Sequence, residues 1–447
     1  MKLGFYIILA AQFFSALADN ALLFAAIALL HELHAPDWQI PVLQQFFIFS
    51  YIAFAAFVGA FADALPKGRV MFISNSIKFA GCITMLLGLH PLYAYAIVGF
   101  GAAAYSPAKY GILTEYLPPG KLVLANGWME GLTVAAIILG AVMGGFMITP
   151  KIAMPLMNAF DIPGIDTGID TPPEFAIAVV TGLYVIAAIF NLYIPKVAID
   201  HKPLKRNPFY ILHDFWHCFK LLWRDPLGQV SLAVTTLFWG AGATLRLIVL
   251  SWAGMALAMP LERATLLTAW VALGIALGSV LAAKFVKLEN SVRVLPMGIA
   301  MGVAVIAMNF ITGSNIETFR ATLLGFLHNI NIRSIGPWLK HIELTFLNAP
   351  NLAVVLLIVI GAMSGFFVVP MNALLQHRGH LLMGAGHSIA VQNFNENLSI
   401  LMMLGAYALM IKQGWNINTI IIAFGLFVTV IMGWLYVLHG KDKLPTP

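Results

Sequence analysis

Five apolar runs of this chain carry residues that a greasy environment should not tolerate. Asp19 and Asn20 stand side by side in FFSALADNALLFAAIALL, and Arg246 interrupts LFWGAGATLRLIVLSW. Lys109 follows Ser106 and Pro107 near the end of another run, Glu130 stands near the start of the next, and Glu396 lies inside a run that also holds Asn393. A charged side chain at the centre of a bilayer costs ~2.5–3.5 kcal/mol on insertion scales. Side chains kept there face a polar cavity, pair with one another, or handle cargo and protons. Asp19 and Arg246 suit either a binding site or an ion pair that fixes helix packing. Lys109 and Glu130 suit a site or the cytoplasmic interface.

A second group of residues suggests gating. The segment GAFADALPKGRV places Gly59, Asp63, Lys67 and Arg69 just after an apolar run. A carboxylate at the start of such a connection can cap a helix N-terminus and pair with a basic residue. That latch would hold one conformation and release in another. The pattern resembles the loop signature of the major facilitator superfamily, with a longer spacing between the aspartate and its basic end. In the second half GSVLAAKFVKLENSVRV keeps the basic residues but has Ala282 where an aspartate would stand. Pro107, Lys109, Glu115 and Glu130 recur at one constant offset as Pro370, Asn372, Arg378 and Asn393. This faint repeat suits a chain built from two similar halves. Arg378 joins the expected gating set. Gly140, Gly144 and Gly145 in LGAVMGGF would let two helices approach closely.

Other chemistries lack their residues. The chain has no GxxxxGK[ST] phosphate loop, no HExxH, and no His followed by Asp five positions later, the HxxxxD pattern of glycerolipid acyltransferases. No enzyme activity, cofactor or metal is expected. His213 and His217 lie four apart, but no third ligand stands at ligand spacing. The two cysteines, Cys82 and Cys218, make no disulfide framework.

The elements that must position these residues follow from composition. Of 447 residues, 60% are hydrophobic and 10% charged, against about 25% charged in a soluble domain. Spanning helices of roughly 20 apolar residues account for the difference. The sequence predicts about twelve: 5–30, 43–62, 70–89, 92–112, 124–148, 175–194, 227–252, 264–283, 294–312, 351–371, 385–410 and 417–438. The fold class is therefore an all-α membrane protein. A six-helix bundle is expected over 1–195, a linker over 196–226 and a second bundle over 227–447.

The net charge of +6 does not point to nucleic acid. Lys67, Arg69, Lys121, Lys196, Lys202, Lys205, Arg206, Lys220, Arg224, Lys284, Lys287, Arg293, Arg378, Lys441 and Lys443 fall on one set of connections. The opposite set is poorer, so the first set and both termini should be cytoplasmic. The linker segment PFYILHDFWHCFKLLWRD reads as an interfacial cytoplasmic helix, and the loop at 313–350 as holding a short amphipathic helix at the outer surface. The loop at 149–174 should be irregular.

Several blocks resemble the bacterial lysophospholipid transporter family of the major facilitator superfamily. They are AQFFSALADNALLFAAIALL, VGAFADALPKGRVM, GFGAAAYSPAKYGILTEYLPPGKLVLANGWME, LFWGAGATLRLIVL, and GFFVVPMNALLQHRGH with GAGHSIAVQNFNEN. The resemblance runs from about residue 5 to 440, and YSPAKYG and VQNxxEN are its specific parts. It implies the two-bundle superfamily fold and a flippase of the inner membrane. The cargo would be lysophosphatidylethanolamine and related lysolipids, moved from the outer to the inner leaflet. A separate cytoplasmic acyltransferase with acyl-carrier-protein synthetase activity would reacylate them. Within that reading Arg246 suits the phosphate, because a guanidinium binds it bidentately. Asp19 suits the ammonium, and the two are expected to face one cavity. Asn20, Lys109, Glu130, Asn393 and Glu396 complete the expected substrate set. The residues alone leave a proton-coupled small-solute or drug antiporter open.

Overall fold

The computed structural model describes residues 3–36, 39–160, 169–197, 207–259, 261–318 and 348–440, with the isolated residues 203 and 322. Its long helices are α1 (Leu3–Glu32), α2 (Gln39–Ala53), α3 (Ala55–Ala64), α4 (Lys67–Leu86), α5 (Pro91–Tyr116), α6 (Leu122–Met147), α7 (Pro150–Phe160) and α8 (Pro172–Leu192). They continue as α9 (Pro208–Arg224), α10 (Pro226–Ala256), α11 (Leu261–Phe285), α12 (Leu295–Ala307), α13 (Ala349–Met383), α14 (Ala385–Lys412) and α15 (Ile417–His439). No strand occurs among the described residues.

Each of the twelve expected spans falls on a helix. Among the described residues nine helices are long and apolar enough to cross a membrane, and α2 with α3, bent by 63°, makes a tenth candidate. The expected spans on α4 and α5 are not among these ten. Their composition explains it. Ser74, Asn75 and Lys78 are buried in α4, and Ser106 and Lys109 in α5. Such side chains lower hydropathy, and several bond across helices instead of facing lipid: Lys78 and Asn75 to Asp19 and Ser15 of α1, and Ser106 to Asn393 of α14.

Two expectations about connections are modified. The loop expected to be irregular begins with α7, and residues 161–168 lie outside the described set. Of the amphipathic helix expected within 313–350, residues 313–318 are helical, and nearly all the rest lie outside the described residues. In the linker, Lys202, Lys205 and Arg206 also lie outside them.

The chain forms two compact units. The first comprises Met1–Thr236 and Met371–Ser399, the second Leu237–Pro370 and Ile400–Pro447. In the first, α1 packs against α6 and α8, α4 against α5 and α8, and α2 against α5. Lipid gives apolar helices no reason to associate by hydrophobicity, so close backbone approach matters. A Cβ on Gly140 would come within 2.8 Å of Leu17 O, and one on Gly144 within 2.9 Å of Ala21 O. These glycines let α6 lie against α1 beside Asn20, whereas Gly145 faces open space. The buried face of α9, Ile211, Phe215, Cys218 and Leu222, packs with Ala55 and Ala56 of α3 and Ala390 and Val391 of α14. Asn207 caps α9 by accepting from the Phe209 N–H at 3.0 Å. In the second unit α12 packs on α15, and Trp252 is fully buried.

Candidate functional site

Asp19 reaches its surroundings from the middle of α1. Its carboxylate accepts from Lys78 Nζ at 2.9 Å (Oδ1) and 2.8 Å (Oδ2), and from the Tyr184 hydroxyl at 2.7 Å. Lys78 also donates to Ser15 Oγ at 3.0 Å, and Ser15 donates to Asn75 Oδ1 at 2.8 Å. The rings of Tyr105 and Tyr184 lie 4.8 and 5.5 Å from the ammonium. Lys78 is 1% exposed and Asp19 23%. The pair therefore presents an edge of the carboxylate while the cation sits behind it.

That edge lines a cavity of about 380 Å³ in the first unit. Asn20, Lys78, Ser106, Lys109, Gln12, Thr133 and the tyrosines Tyr51, Tyr95 and Tyr105 share its wall with Leu23, Phe47, Ile48 and Ile137. Lys109 is buried, and its Nζ lies 4.4 Å above the Tyr110 ring. Among the described residues no carboxylate oxygen stands within salt-bridge distance of it, which leaves its amino group available to an anionic group in the cavity.

A polar seam runs from this wall into α13 and α14. Tyr110 donates to Glu130 Oε1 at 3.0 Å, and Asn372 to the same oxygen at 3.4 Å. Gln392 donates to Asn372 Oδ1 at 2.9 Å and to Glu396 Oε1 at 2.7 Å. Asn393 donates to Ser106 Oγ at 2.9 Å. Asn126 and Gln376 exchange hydrogen bonds of 2.9 and 2.8 Å. Buried amides need such partners, because an unpaired one costs ~1–3 kcal/mol. Pro107 and Pro370, the related prolines of the repeat, both lie inside helices, α5 and α13.

The second constellation lies at the α3–α4 connection. Asp63 Oδ1 accepts from the Gly386 N–H at 2.6 Å, and Oδ2 from the His387 N–H at 3.0 Å. Asp63 thus caps α14. His387 Nδ1 approaches Oδ2 at 2.6 Å, and its Nε2 lies 3.2 Å from Asp214 of α9. Lys67 Nζ joins Asp63 Oδ1, Glu115 Oε1 (each 3.0 Å) and Ala62 O (2.6 Å). Gly59 permits the approach: a Cβ there would come within 2.7 Å of Ala390 Cβ. Arg69 is exposed and makes none of these contacts. Arg378 instead clasps Asp225 with two guanidinium nitrogens, Nε at 3.0 Å, while Asp225 accepts from the Gly228 N–H at 2.8 Å at the start of α10.

The structure therefore gathers Asp19, Asn20 and Lys109 on one cavity wall and Glu130, Asn393 and Glu396 in the adjoining seam. Arg246 lies exposed on α10 in the second unit, with no ion-pair partner among the described residues. The cation on Asp19 is Lys78. Sequence reasoning missed it, although a lysine within SNSIKFAGCITML meets the same test that singled out Asp19. Tyr184, Asn126, Gln376, Gln392 and His387 were also missed; all but Tyr184 lie in the quoted blocks, but none is a carboxylate, lysine or arginine inside an apolar run, the signal that singled out the others. His213 and His217 are exposed on α9.

The model of the Major Facilitator Superfamily matches residues 8–399. A lysophospholipid transporter, LplT, of Yersinia enterocolitica is 40% identical over 412 residues, 92% of this chain and 88% of that protein. One of Yersinia pestis is 42% identical over 408 residues, 91% of this chain and 86% of that protein. Among solved structures, the E. coli fucose:proton symporter FucP is similar with a TM-score of 0.70 at 11% identity, covering 97% of this chain and 98% of that one. A bacterial homologue of the iron transporter ferroportin is similar with a TM-score of 0.66 at 14% identity, covering 98% of this chain and 100% of that one. At these identities the likeness concerns the fold alone.

Proposed function

We propose a route for lysolipid through this chain, which belongs to the major facilitator superfamily and, within it, to the lysophospholipid transporters. It is a multi-pass membrane protein that transports lysophospholipids. In the proposed route cargo moves from the outer to the inner leaflet of the bacterial inner membrane, and both termini are cytoplasmic. Lysophosphatidylethanolamine is the principal cargo. A separate cytoplasmic acyltransferase then consumes the product.

The observation that carries the route is the cavity itself. It combines a buried cation, Lys109, with an apolar wall of Leu23, Phe47, Ile48 and Ile137. A lysolipid offers the matching parts, one phosphate and one acyl chain. Asn20 and Ser106 add polar groups for the glycerol backbone. Arg246 is proposed as a further phosphate-binding residue, through its planar fork. The carboxylate of Asp63 and its partners Lys67 and His387 act as a latch that opens once per cycle. The bond between Arg378 and Asp225 acts beside it, tying α13 to the start of α10. The two halves of the cycle are proposed to use six-helix bundles over 1–195 and 227–447, with 196–226 as a cytoplasmic linker.

Variants test the site. Lys109→Gln and Arg246→Lys, purified and folded, should each bind labelled lysolipid at least about tenfold more weakly, ~1.4 kcal/mol. Wild-type binding and flipping in both would remove these residues from the site.

A further inference from the structure

Resting on the lysophospholipid reading, we propose that Lys78 is a specificity-determining residue: by neutralising Asp19 from behind, it makes the cavity read the cargo's phosphate and ignore whether the headgroup carries an amine.

The geometry begins with donors. A lysine ammonium has three N–H groups. Lys78 spends them on both oxygens of Asp19, at 2.9 and 2.8 Å, and on Ser15 at 3.0 Å. None is left for cargo. At 1% exposure the cation is a fixed part of the wall rather than a mobile arm. Asp19, with both oxygens engaged and Tyr184 as a further donor at 2.7 Å, has little demand for another cation. An ethanolamine ammonium that entered would meet a carboxylate whose charge Lys78 already offsets and whose acceptor sites are mostly taken by Lys78 and Tyr184.

The charge count of the wall points the same way. Asp19 and Lys78 cancel. Lys109 remains, with no carboxylate within salt-bridge distance among the described residues. A wall with one net positive charge attracts the group that all lysophospholipids share. Specificity is a difference between two affinities, and here the amine contributes little to either. Removing Lys78 changes the count. Asp19 then stands unpaired beside Lys109, and the wall becomes complementary to a zwitterion and repels extra negative charge.

The test measures the ratio of flipping rates for labelled lysophosphatidylethanolamine and lysophosphatidylglycerol, in vesicles of one neutral phosphatidylcholine. Wild type should handle both within about threefold. Lys78→Met should shift the ratio about tenfold towards the amine. Asp19→Asn, which leaves Lys78 uncompensated, should shift it the opposite way. Asp19→Asn/Lys78→Gln, neutral at both positions, should return near the wild-type ratio. Folded Lys78→Met with an unchanged ratio overturns the proposal. So does a wild-type preference for the amine of tenfold or more, an outcome that can be read even if both single variants fail to fold. Failure of wild type to flip either lipid would instead count against the lysophospholipid reading, and with it this proposal.

Discussion

Asp63 and His387 are joined twice: the aspartate's Oδ2 accepts from the histidine's main-chain N–H at 3.0 Å and lies 2.6 Å from its ring Nδ1. One bond caps α14 and the other fixes the imidazole. The same imidazole reaches Asp214 on α9 at 3.2 Å. A single carboxylate thereby ties α3, α14 and the linker helix together.

Breaking that tie should alter kinetics more than affinity. Asp63→Asn keeps the size of the side chain but loses charge-assisted bonds, which are roughly twice as strong as neutral ones. Flipping should slow about tenfold, equivalent to ~1.4 kcal/mol of barrier, while equilibrium lysolipid binding stays near wild type. Equal loss of binding would show that Asp63 does not act as a latch.

The basic partner is separable. Lys67 is buried between Asp63 and Glu115, whereas Arg69 is exposed. Lys67→Met should slow flipping as Asp63→Asn does, and Arg69→Ala should leave it within about twofold. The reverse order would contradict the placement of the latch. Stopped-flow measurement of lysolipid translocation distinguishes the two.

Arg378 and Asp225 provide a second tie, between the end of α13 and the cap of α10. Arg378→Lys keeps the charge but loses the planar fork. Arg378→Gln removes the charge as well and should destabilise by about 1–3 kcal/mol. Thermal unfolding in detergent should rank wild type above Arg378→Lys above Arg378→Gln. Indistinguishable melting temperatures would make this a contact without energetic weight.

The α1–α6 crossing is sensitive to volume. Gly140→Leu would drive a side chain into Leu17 and Asn20, and overpacking costs about 1–3 kcal/mol. Flipping should fall because Asn20 lines the cavity. Gly145→Leu, facing open space, should be silent. A melting curve and a flipping rate for each variant check both statements.

Much of this was legible in the chain. Apolar runs led to helices at all twelve expected places, because lipid requires internal hydrogen bonding of every backbone group, although nine or ten of them qualify as membrane spans among the described residues. Charges inside those runs led to Asp19, Lys109 and Glu130. GAFADALPKGRV led to Asp63, since a carboxylate beside basic residues at a connection can both cap a helix N-terminus and form an ion pair. What was not legible was pairing. Asp19 was matched with Arg246 by complementary charge, whereas the cation that touches it, Lys78, lies on α4. Lys67 and Arg69 stand as equal candidates in the motif, and it is the break between α3 and α4 that brings Lys67 onto Asp63 and leaves Arg69 exposed. The seam amides, Asn126, Gln376 and Gln392, carry no charge, and the motif that holds Gln392 does not say what it bonds to, so only the packed helices reveal their pairing.

The proposed orientation is open to labelling. Glu289 and Gln413 are exposed, in connections assigned to the cytoplasmic and outer sides. The native cysteines Cys82 and Cys218 are buried and should give little background. An impermeant maleimide added to intact cells should modify Gln413→Cys and spare Glu289→Cys. The opposite pattern would invert the topology.

Cargo identity is the central claim, and one reconstitution tests it most directly. The purified wild-type chain in sealed vesicles receives labelled lysophosphatidylethanolamine on one leaflet, with parallel vesicles offered a panel of soluble sugars and cationic drugs. The account predicts that lysolipid equilibrates between leaflets at least about tenfold faster than in empty vesicles, that Lys109→Gln removes most of the gain, and that no soluble solute accumulates. Uptake of a soluble solute together with lysolipid movement no faster than in empty vesicles would contradict it.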